Sequence, residues 1–552
     1  MVKYSKLFIN GKVYTVSEGM PWAEAFAITG NKISFVGSNL EADALRAESE
    51  EVVDLKGRMV LPGFIDGHMH IQMAGPEQLF KVQLHDLDNE KDYIQRIKEY
   101  VEAHPEADRY EGVGWINPAF DVKGPRRQAL DAICPDKPIV IDSGDHHSLW
   151  ANTKAFEICG ITADTQVPEG NLIEREEDGY PSGTVRELYA MSLFDKARLT
   201  LGKEEYKAVI RSVQDFYGPY GVTGLVDALV PADSPIIDAY REMAEDGELK
   251  CRIRGALGLT EDADENQVTN LVKAREKTLH SGDMLRIDEA KVFLDGVIEG
   301  KTGFLKEPYE DEEEYRGFPI WDYDKLVKVC KKADEAEFNL HFHTIGDAAS
   351  ELMCDCLDEV IKNNPDRKNR RPVATHLQVL DPREIERMAE DNFVCISDPF
   401  WFFKDKGYYY DIEIPFLGER AAREYPMKSL FDAGMVVGVG SDYSVTPDPS
   451  PLAGIQIAMT RLKEDVDPST ASEADVLGPE ERVSLEVMLE AYTKGNAYAT
   501  MDEDIVGTIE VGKYADIVVL AENLFELPIG DIHKAKVVMT ISNGETIFED
   551  LT

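Results

Sequence analysis

Two histidines one residue apart, His68 and His70, close the run Leu61-Pro62-Gly63-Phe64-Ile65-Asp66-Gly67-His68-Met69-His70. Side chains two positions apart on a strand point the same way, so the pair can hold one metal ion at the strand's carboxyl end. Taken alone, such a pair is as easily incidental. Its approach gives it weight: Val52 to Leu55, Gly57 and Met59-Val60-Leu61 read as a short buried strand between turn signals. The Pro-Gly and Asp-Gly dipeptides break the chain where a loop must carry the ligands.

Five more residues fall on or just after apolar runs. Lys291 lies within Glu289-Ala290-Lys291-Val292-Phe293-Leu294-Asp295-Gly296, with Asp295 on the same run. His343 ends Leu340-His341-Phe342-His343, His376 ends Val373-Ala374-Thr375-His376, and Asp442 follows Val439-Gly440-Ser441. Imidazoles and carboxylates at successive strand ends make a mixed nitrogen and oxygen site suited to a hard or borderline divalent ion. Each residue also has a plain structural role open to it. A histidine beside a buried strand can be a satisfied core residue, Asp442 can cap the next helix, and Lys291 can be an ion-pair partner. His341 shares a strand face with His343; the later residue is nearer the strand end, which favours His343 as ligand and leaves His341 to pack below or donate from behind.

Such side chains need a frame. Between the termini, apolar strand-like runs alternate with helical patterns, as parallel βα units require. Candidate strands are Leu61 to Asp66, Gly224 to Asp227, Ile253 to Leu259, Glu289 to Asp295, Phe338 to His343, Val373 to His376, Phe393 to Ser397 and Val436 to Ser441. Eight runs fit a (β/α)8 TIM barrel spanning 59–500. Residues 74–200 interrupt that rhythm with a strand signal of their own, Pro138 to Asp142, and read as an inserted α/β subdomain. Residues 1–58 and 501–552 are blocks of short strands, with a hairpin at Asn10-Gly11, and could close into one small β-domain.

Composition bounds the partners. The 552 residues allow about two to four domains. The net charge of −45 repels phosphate backbones and anionic membranes, so neither nucleic acid nor a membrane surface is an expected partner. Seven scattered cysteines without a C-x-x-C pair read as reduced thiols of a cytoplasmic protein. The amino terminus lacks a continuous apolar segment, and no window approaches the roughly 20 apolar residues of a membrane span.

At this point the chain resembles the amidohydrolase superfamily, and within it the amidohydrolase 3 branch typified by N-substituted formamide deformylase. The resemblance rests on Gly63 to His70, on His343-Thr344-Ile345-Gly346-Asp347-Ala348-Ala349, on Gly440-Ser441-Asp442-Tyr443, and on Gly507 to Leu520. It implies a metal-bearing barrel, a sandwich built from both termini, and an insertion over the barrel mouth. It further implies that His68 and His70 bind a buried metal, that Lys291 bridges two metals as an N-carboxylated lysine, that His343 and His376 bind the second, and that Asp442 touches the first metal and the nucleophilic water. Zinc is the default ion, with manganese and iron able to use the same ligands. Metal ions lower the pKa of bound water toward about 7, so the implied reaction is hydrolysis of a carbon–nitrogen bond in a small amide, formamide or N-acyl compound by metal-activated hydroxide. Asp442 would carry the proton to the leaving nitrogen. Cyclic amide or amidine hydrolysis, deamination, and a non-catalytic regulatory role are the alternatives.

The insertion contains Gly112 to Asn117 and Ser143 to Asn152, segments that look shared with the branch. Trp115, His147 and Asn152 there either face the substrate or fix the insertion's fold. Arg186 is expected to pair with a neighbouring carboxylate. The aromatic run Pro399-Phe400-Trp401-Phe402-Phe403 can line an apolar pocket or meet a second copy of the chain. The expected partners are a small-molecule substrate and a second subunit, as a homodimer.

Overall fold

The computed structural model describes residues 3–121, 123–144, 146, 148–168 and 171–550. The chain separates into two compact units, one of Met1–His70 with Val213–Thr552, the other of Ile71–Ser212.

The larger unit is built on eight parallel strands: β1 (Phe64–Met69), β2 (Val222–Val230), β3 (Arg252–Gly258), β4 (Leu285–Phe293), β5 (Asn339–Thr344), β6 (Val373–His376), β7 (Val394–Ser397) and β8 (Val436–Val439). They neighbour one another in chain order from β1 to β8. This is a TIM barrel, and its strands are almost wholly buried because helices cover a sheet of this kind. Its seam is closed by other means than a ladder. The amides of Ser441 and Asp442 donate to the His68 carbonyl at 3.2 and 2.8 Å. Asn496 staples the same seam: its Nδ2 donates to the carbonyls of Ile65 and Val439 at 2.5 and 2.9 Å, and its Oδ1 accepts from the Val439 amide at 3.0 Å. The strands come together because Gly440 has no side chain; a Cβ there would lie 2.5 Å from the His68 Cβ.

The structure moves the start of the barrel. Leu61 and Pro62, expected within the first barrel strand, instead belong to Met59–Pro62, which pairs with Lys12–Tyr14 and Ile517–Leu520. The chain changes sheets at Gly63, where a Cβ would meet the Thr223 hydroxyl at 2.3 Å, and Phe64 then begins β1. The terminal strands form two sheets. One has four strands ordered (Lys32–Gly37), (Ala25–Thr29), (Tyr4–Ile9), (Ser49–Asp54); the other has six, ordered (Glu545–Glu549), (Val537–Ser542), (Ile517–Leu520), (Met59–Pro62), (Lys12–Tyr14), (Trp22–Ala23). Phe8, Phe26 and Ile28 from the first sheet and Val13, Val60, Ile517 and Val519 from the second share one buried core.

The smaller unit carries its own six-stranded mixed sheet, ordered (Leu172–Arg175), (Pro181–Arg186), (Ser148–Ala151), (Ile139–Ser143), (Tyr110–Trp115), (Lys81–Gln83). Its limits of Ile71–Ser212 are slightly wider than the 74–200 expected. Among the described residues, no helix is long and apolar enough to cross a membrane.

Candidate metal centre

Strand register brings the candidate residues together. In the β4/β5 pair, Glu289 lies opposite Asn339, Lys291 opposite His341 and Phe293 opposite His343. Alternation then stacks Glu289, Lys291 and His343 on one face, in layers that climb toward the carboxyl end of the barrel. His376 breaks alternation. Thr375 beside it already faces His341, with Oγ1 2.8 Å from Nε2, and a φ of 73° turns His376 so that its ring also reaches the cluster. Asp442 likewise has a φ of 52°. Two non-glycine residues in the left-handed region, both at strand ends, store strain where the site is assembled.

The side chains form one buried group. His68 and Lys291 are fully buried, and His70, His343, His376 and Asp442 nearly so. His68 Nε2 is 3.1 Å from Lys291 Nζ and 3.6 Å from Asp442 Oδ1, and His70 Nε2 is 3.0 Å from the same oxygen. The ring centroids of His343 and His376 lie 4.6 Å apart, and those of His68 and His376 5.1 Å apart. Ligating atoms of His68, His376 and Asp442 all fall within 4.8 Å of one another, close enough to share an ion.

Hydrogen bonds fix which nitrogen each ring presents. His376 Nδ1 donates to Asp398 Oδ2 at 2.8 Å, leaving Nε2 as its lone pair. His343 Nε2 donates to the Gly296 carbonyl at 3.2 Å, leaving Nδ1. Burial, with Lys291 or a neighbouring ring adding to it, holds His68, His341 and His343 well below the ordinary imidazole value, so they are neutral, the form that binds metal. Burial also pushes Lys291 down to about 7, against the pull of Asp442, Asp398 and Glu289. For Asp442, burial acts upward, but His70, His376 and Lys291 outweigh it and hold the carboxylate well below its usual range.

The donor set fits a divalent cation on two counts. It combines neutral imidazoles with carboxylates, as zinc and its neighbours require. It also leaves His70 Nδ1 and, beside the cluster, Asp398 Oδ1 buried without a hydrogen-bond partner, a costly state for polar atoms that a cation nearby offsets.

Several neighbours support the cluster without joining it. Asp66 joins β1 to the β8 end: its carboxylate accepts from the Ser441 amide at 3.0 Å, the Ser441 hydroxyl at 2.6 Å and the Tyr217 hydroxyl at 2.9 Å. Asp295, on the Lys291 run, accepts from the amides of Phe304, Ile345 and Gly346 at 2.8 to 3.0 Å, so it holds the loops after β4 and β5. Trp401 stacks on His376 with centroids 5.5 Å apart, and Phe402 stacks on Tyr425, so this aromatic run is packed inward beside the cluster.

Sequence reasoning did not find Asp398, Glu289 or Asn496. Asp398 follows β7 as Asp442 follows β8, and Glu289 sits two residues before Lys291 on the same strand face; both signals are readable once the strands are known. Asn496 carries no such signal, since its contacts are with Ile65 and Val439 far away in the chain.

The insertion residues lie in the smaller unit. Trp115 is fully buried and its indole donates to the Ile141 carbonyl at 3.0 Å. Asn152 caps the helix Thr153–Cys159, accepting from the Ala155 amide at 2.9 Å and the Ile139 amide at 3.0 Å while donating to the carbonyls of Cys134 and Lys137. These contacts describe the fold-fixing role. His147 lies outside the described residues. Arg186 pairs with Glu174 at 3.3 Å.

Comparison with known proteins agrees with this picture. The amidohydrolase family model matches residues 51–548. YtcJ of Bacillus subtilis is 28% identical, covering 98% of each chain. The N-substituted formamide deformylase of Arthrobacter pascens is 24% identical, again covering 98% of each chain. A metal-dependent hydrolase from Pyrococcus horikoshii has the same fold, with a TM-score of 0.77 at 22% identity over 95% of this chain and 99% of that one.

Proposed function

From the premise that this chain belongs to the amidohydrolase family, we propose that it is a metal-dependent hydrolase that cleaves the carbon–nitrogen bond of a small amide, formamide or N-acyl compound. The observation that carries the reading is the buried trio His68, His376 and Asp442 at the carboxyl ends of three barrel strands, with ligating atoms within 4.8 Å. The bond type is supported by the full-length similarity to a formamide deformylase.

His68, His70 and Asp442 would hold one ion and His343 with His376 a second beside it, His376 being within reach of both because its ligating atom also lies within 4.8 Å of those of His68 and Asp442. Lys291 would bridge them as a carbamate, formed when its neutral amine adds to carbon dioxide and loses a proton; its depressed pKa of about 7 keeps that amine available. Zinc is the ion proposed. Bound there, it would acidify a water and polarise the substrate carbonyl. Asp442, kept ionised by the cations and imidazoles around it, takes the water's proton and returns it to the departing nitrogen. Trp401, stacked against His376, would cover one face of that ring.

The test is a panel of N-substituted formamides and N-acyl amines offered to the zinc-loaded protein, with amine release followed. Release by the wild type and its loss on Asp442→Asn supports the reading. A panel wholly inert with metal-replete protein, alongside turnover of cyclic amidines, would move the assignment to deamination.

A further inference from the structure

Past the end of β6, Gln378 holds two carboxyl groups from separate parts of the chain on one amide nitrogen. Its Nε2 lies 2.6 Å from Glu424 Oε1 and 3.1 Å from Glu413 Oε1. All three residues are at most 4% exposed. Among the described residues, neither glutamate enters an ion pair. Arg461 acts on Glu424, but its guanidinium donates to the main-chain carbonyls of Glu424, Tyr425 and Leu477 at 2.8 to 3.0 Å and to no carboxylate of the pair. The other titratable groups facing the pair are Glu299 from the loop after β4, Asp405, Tyr408 and Tyr409 from the chain before Glu413, and Tyr425 beside Glu424; none of these is a cation.

Two buried carboxylates that share one donor cannot both be charged without a cation between them, so one keeps a proton. Turning the Gln378 amide over would set its oxygen against both groups and demand a further proton, so the conclusion holds for either orientation. Glu424 Oε2, buried without a donor, is satisfied once Glu413 presents a carboxyl O–H. Burial, with Glu299 and Asp405 adding to it, pushes Glu413 up to about 8.

The two glutamates are unequally anchored. Arg461 grips the Glu424 backbone, and the next amide, of Tyr425, donates to the Gln378 carbonyl at 2.9 Å. Glu413 instead ends the π-helical segment Lys406–Glu413, in which only it and Tyr409 are buried. We propose that Glu413, Glu424 and Gln378 form a proton-held clasp that fastens Lys406–Glu413 to the end of β6, and that loss of the shared proton lets this segment lift. The segment closely follows Trp401, the ring stacked on His376, so the clasp secures the chain beside the metal cluster.

Once lifted into water, Glu413 returns to an ordinary value of about 4.3, so each opening at neutral pH releases one proton. The closed value is the raised one. Closure is therefore firmest below about pH 4.5, weakens by up to about tenfold per pH unit on the way to about 8, and changes little above that.

Hydrogen exchange on the full-length protein between about pH 5 and 9, normalised to intrinsic rates, reads the opening constant of Lys406–Glu413. In the wild type this constant is expected to rise several-fold per pH unit up to about pH 8 and then level off. Glu413→Gln, whose amide can donate to Glu424 as the carboxyl O–H does, is expected to open as little at about pH 8 as the wild type does at about pH 5. Glu424→Gln supplies the same comparison should the first variant not fold, and the wild-type profile decides should neither fold. A flat wild-type profile, or an equal rise in a folded glutamine variant, overturns the proposal. The measurement needs neither metal nor substrate, so its outcome is independent of the hydrolase reading.

Discussion

At the scale of single residues, the proposed chemistry rests on keeping the Asp442 carboxylate ionised in a buried place. Burial opposes charge on Asp442, and only the surrounding imidazoles and Lys291 keep it as a base. Asp442→Asn preserves shape and removes the proton acceptor, so kcat should drop by about 100- to 10,000-fold, checked by steady-state turnover of the best amide found. The same variant should keep its fold, checked by an unchanged far-UV spectrum, because Asp442 contributes its backbone amide, not its carboxylate, to the β1/β8 seam. His68, His70, His343, His376 and Asp442 were readable because strand-end residues of the right chemistry follow apolar runs. The carboxylates behind them were not, since Asp398 and Glu289 matter only through neighbouring strands that sequence alone does not place side by side.

At the scale of elements, the barrel seam is where sequence and structure meet most tightly. Glycine at 440 permits an approach that any side chain would block, with the obstacle being the Cβ of His68 itself. Gly440→Ala should therefore cost about 1–3 kcal/mol of stability, measured by denaturant unfolding, and weaken metal binding together with it by displacing β1 from β8. Seven of the eight barrel strands were legible from apolar runs bounded by turns. The first was misplaced by a few residues because Met59–Pro62 and Phe64–Met69 form a nearly continuous apolar run, and only pairing with Ile517–Leu520 on one side and Val222–Val230 on the other reveals two sheets. Trp115 and Asn152 illustrate the opposite difficulty: shared-looking motifs mark packing as readily as binding, and their side chains are fully occupied by backbone partners.

At the scale of the whole molecule, the strongly acidic composition makes stability depend on pH through those carboxylates that are paired inside. In the Ile71–Ser212 unit, burial acts to raise Asp142, but Arg198, Lys81 and His146 outweigh it and bring its pKa down to about 2 from 3.8. Arg198 grips it through two hydrogen bonds at 2.6 and 2.9 Å. Because the folded value is depressed, this group's stabilisation is fully present above about pH 4 and is lost as pH falls toward 2; the shift corresponds to ~2 kcal/mol. Thermal melts at pH 5 and pH 2.5 should show a larger decline in wild type than in Asp142→Asn, which is already destabilised at pH 5.

On the proposed reading, the barrel binds a pair of divalent ions across His68, His70, Lys291, His343, His376 and Asp442. Elemental analysis of wild-type protein and of Lys291→Ala, both purified without added metal and then made zinc-replete and desalted, tests it most directly. The account predicts about two equivalents per chain in the wild type, falling sharply in the variant. Wild-type protein that retains no divalent metal under those conditions would contradict it.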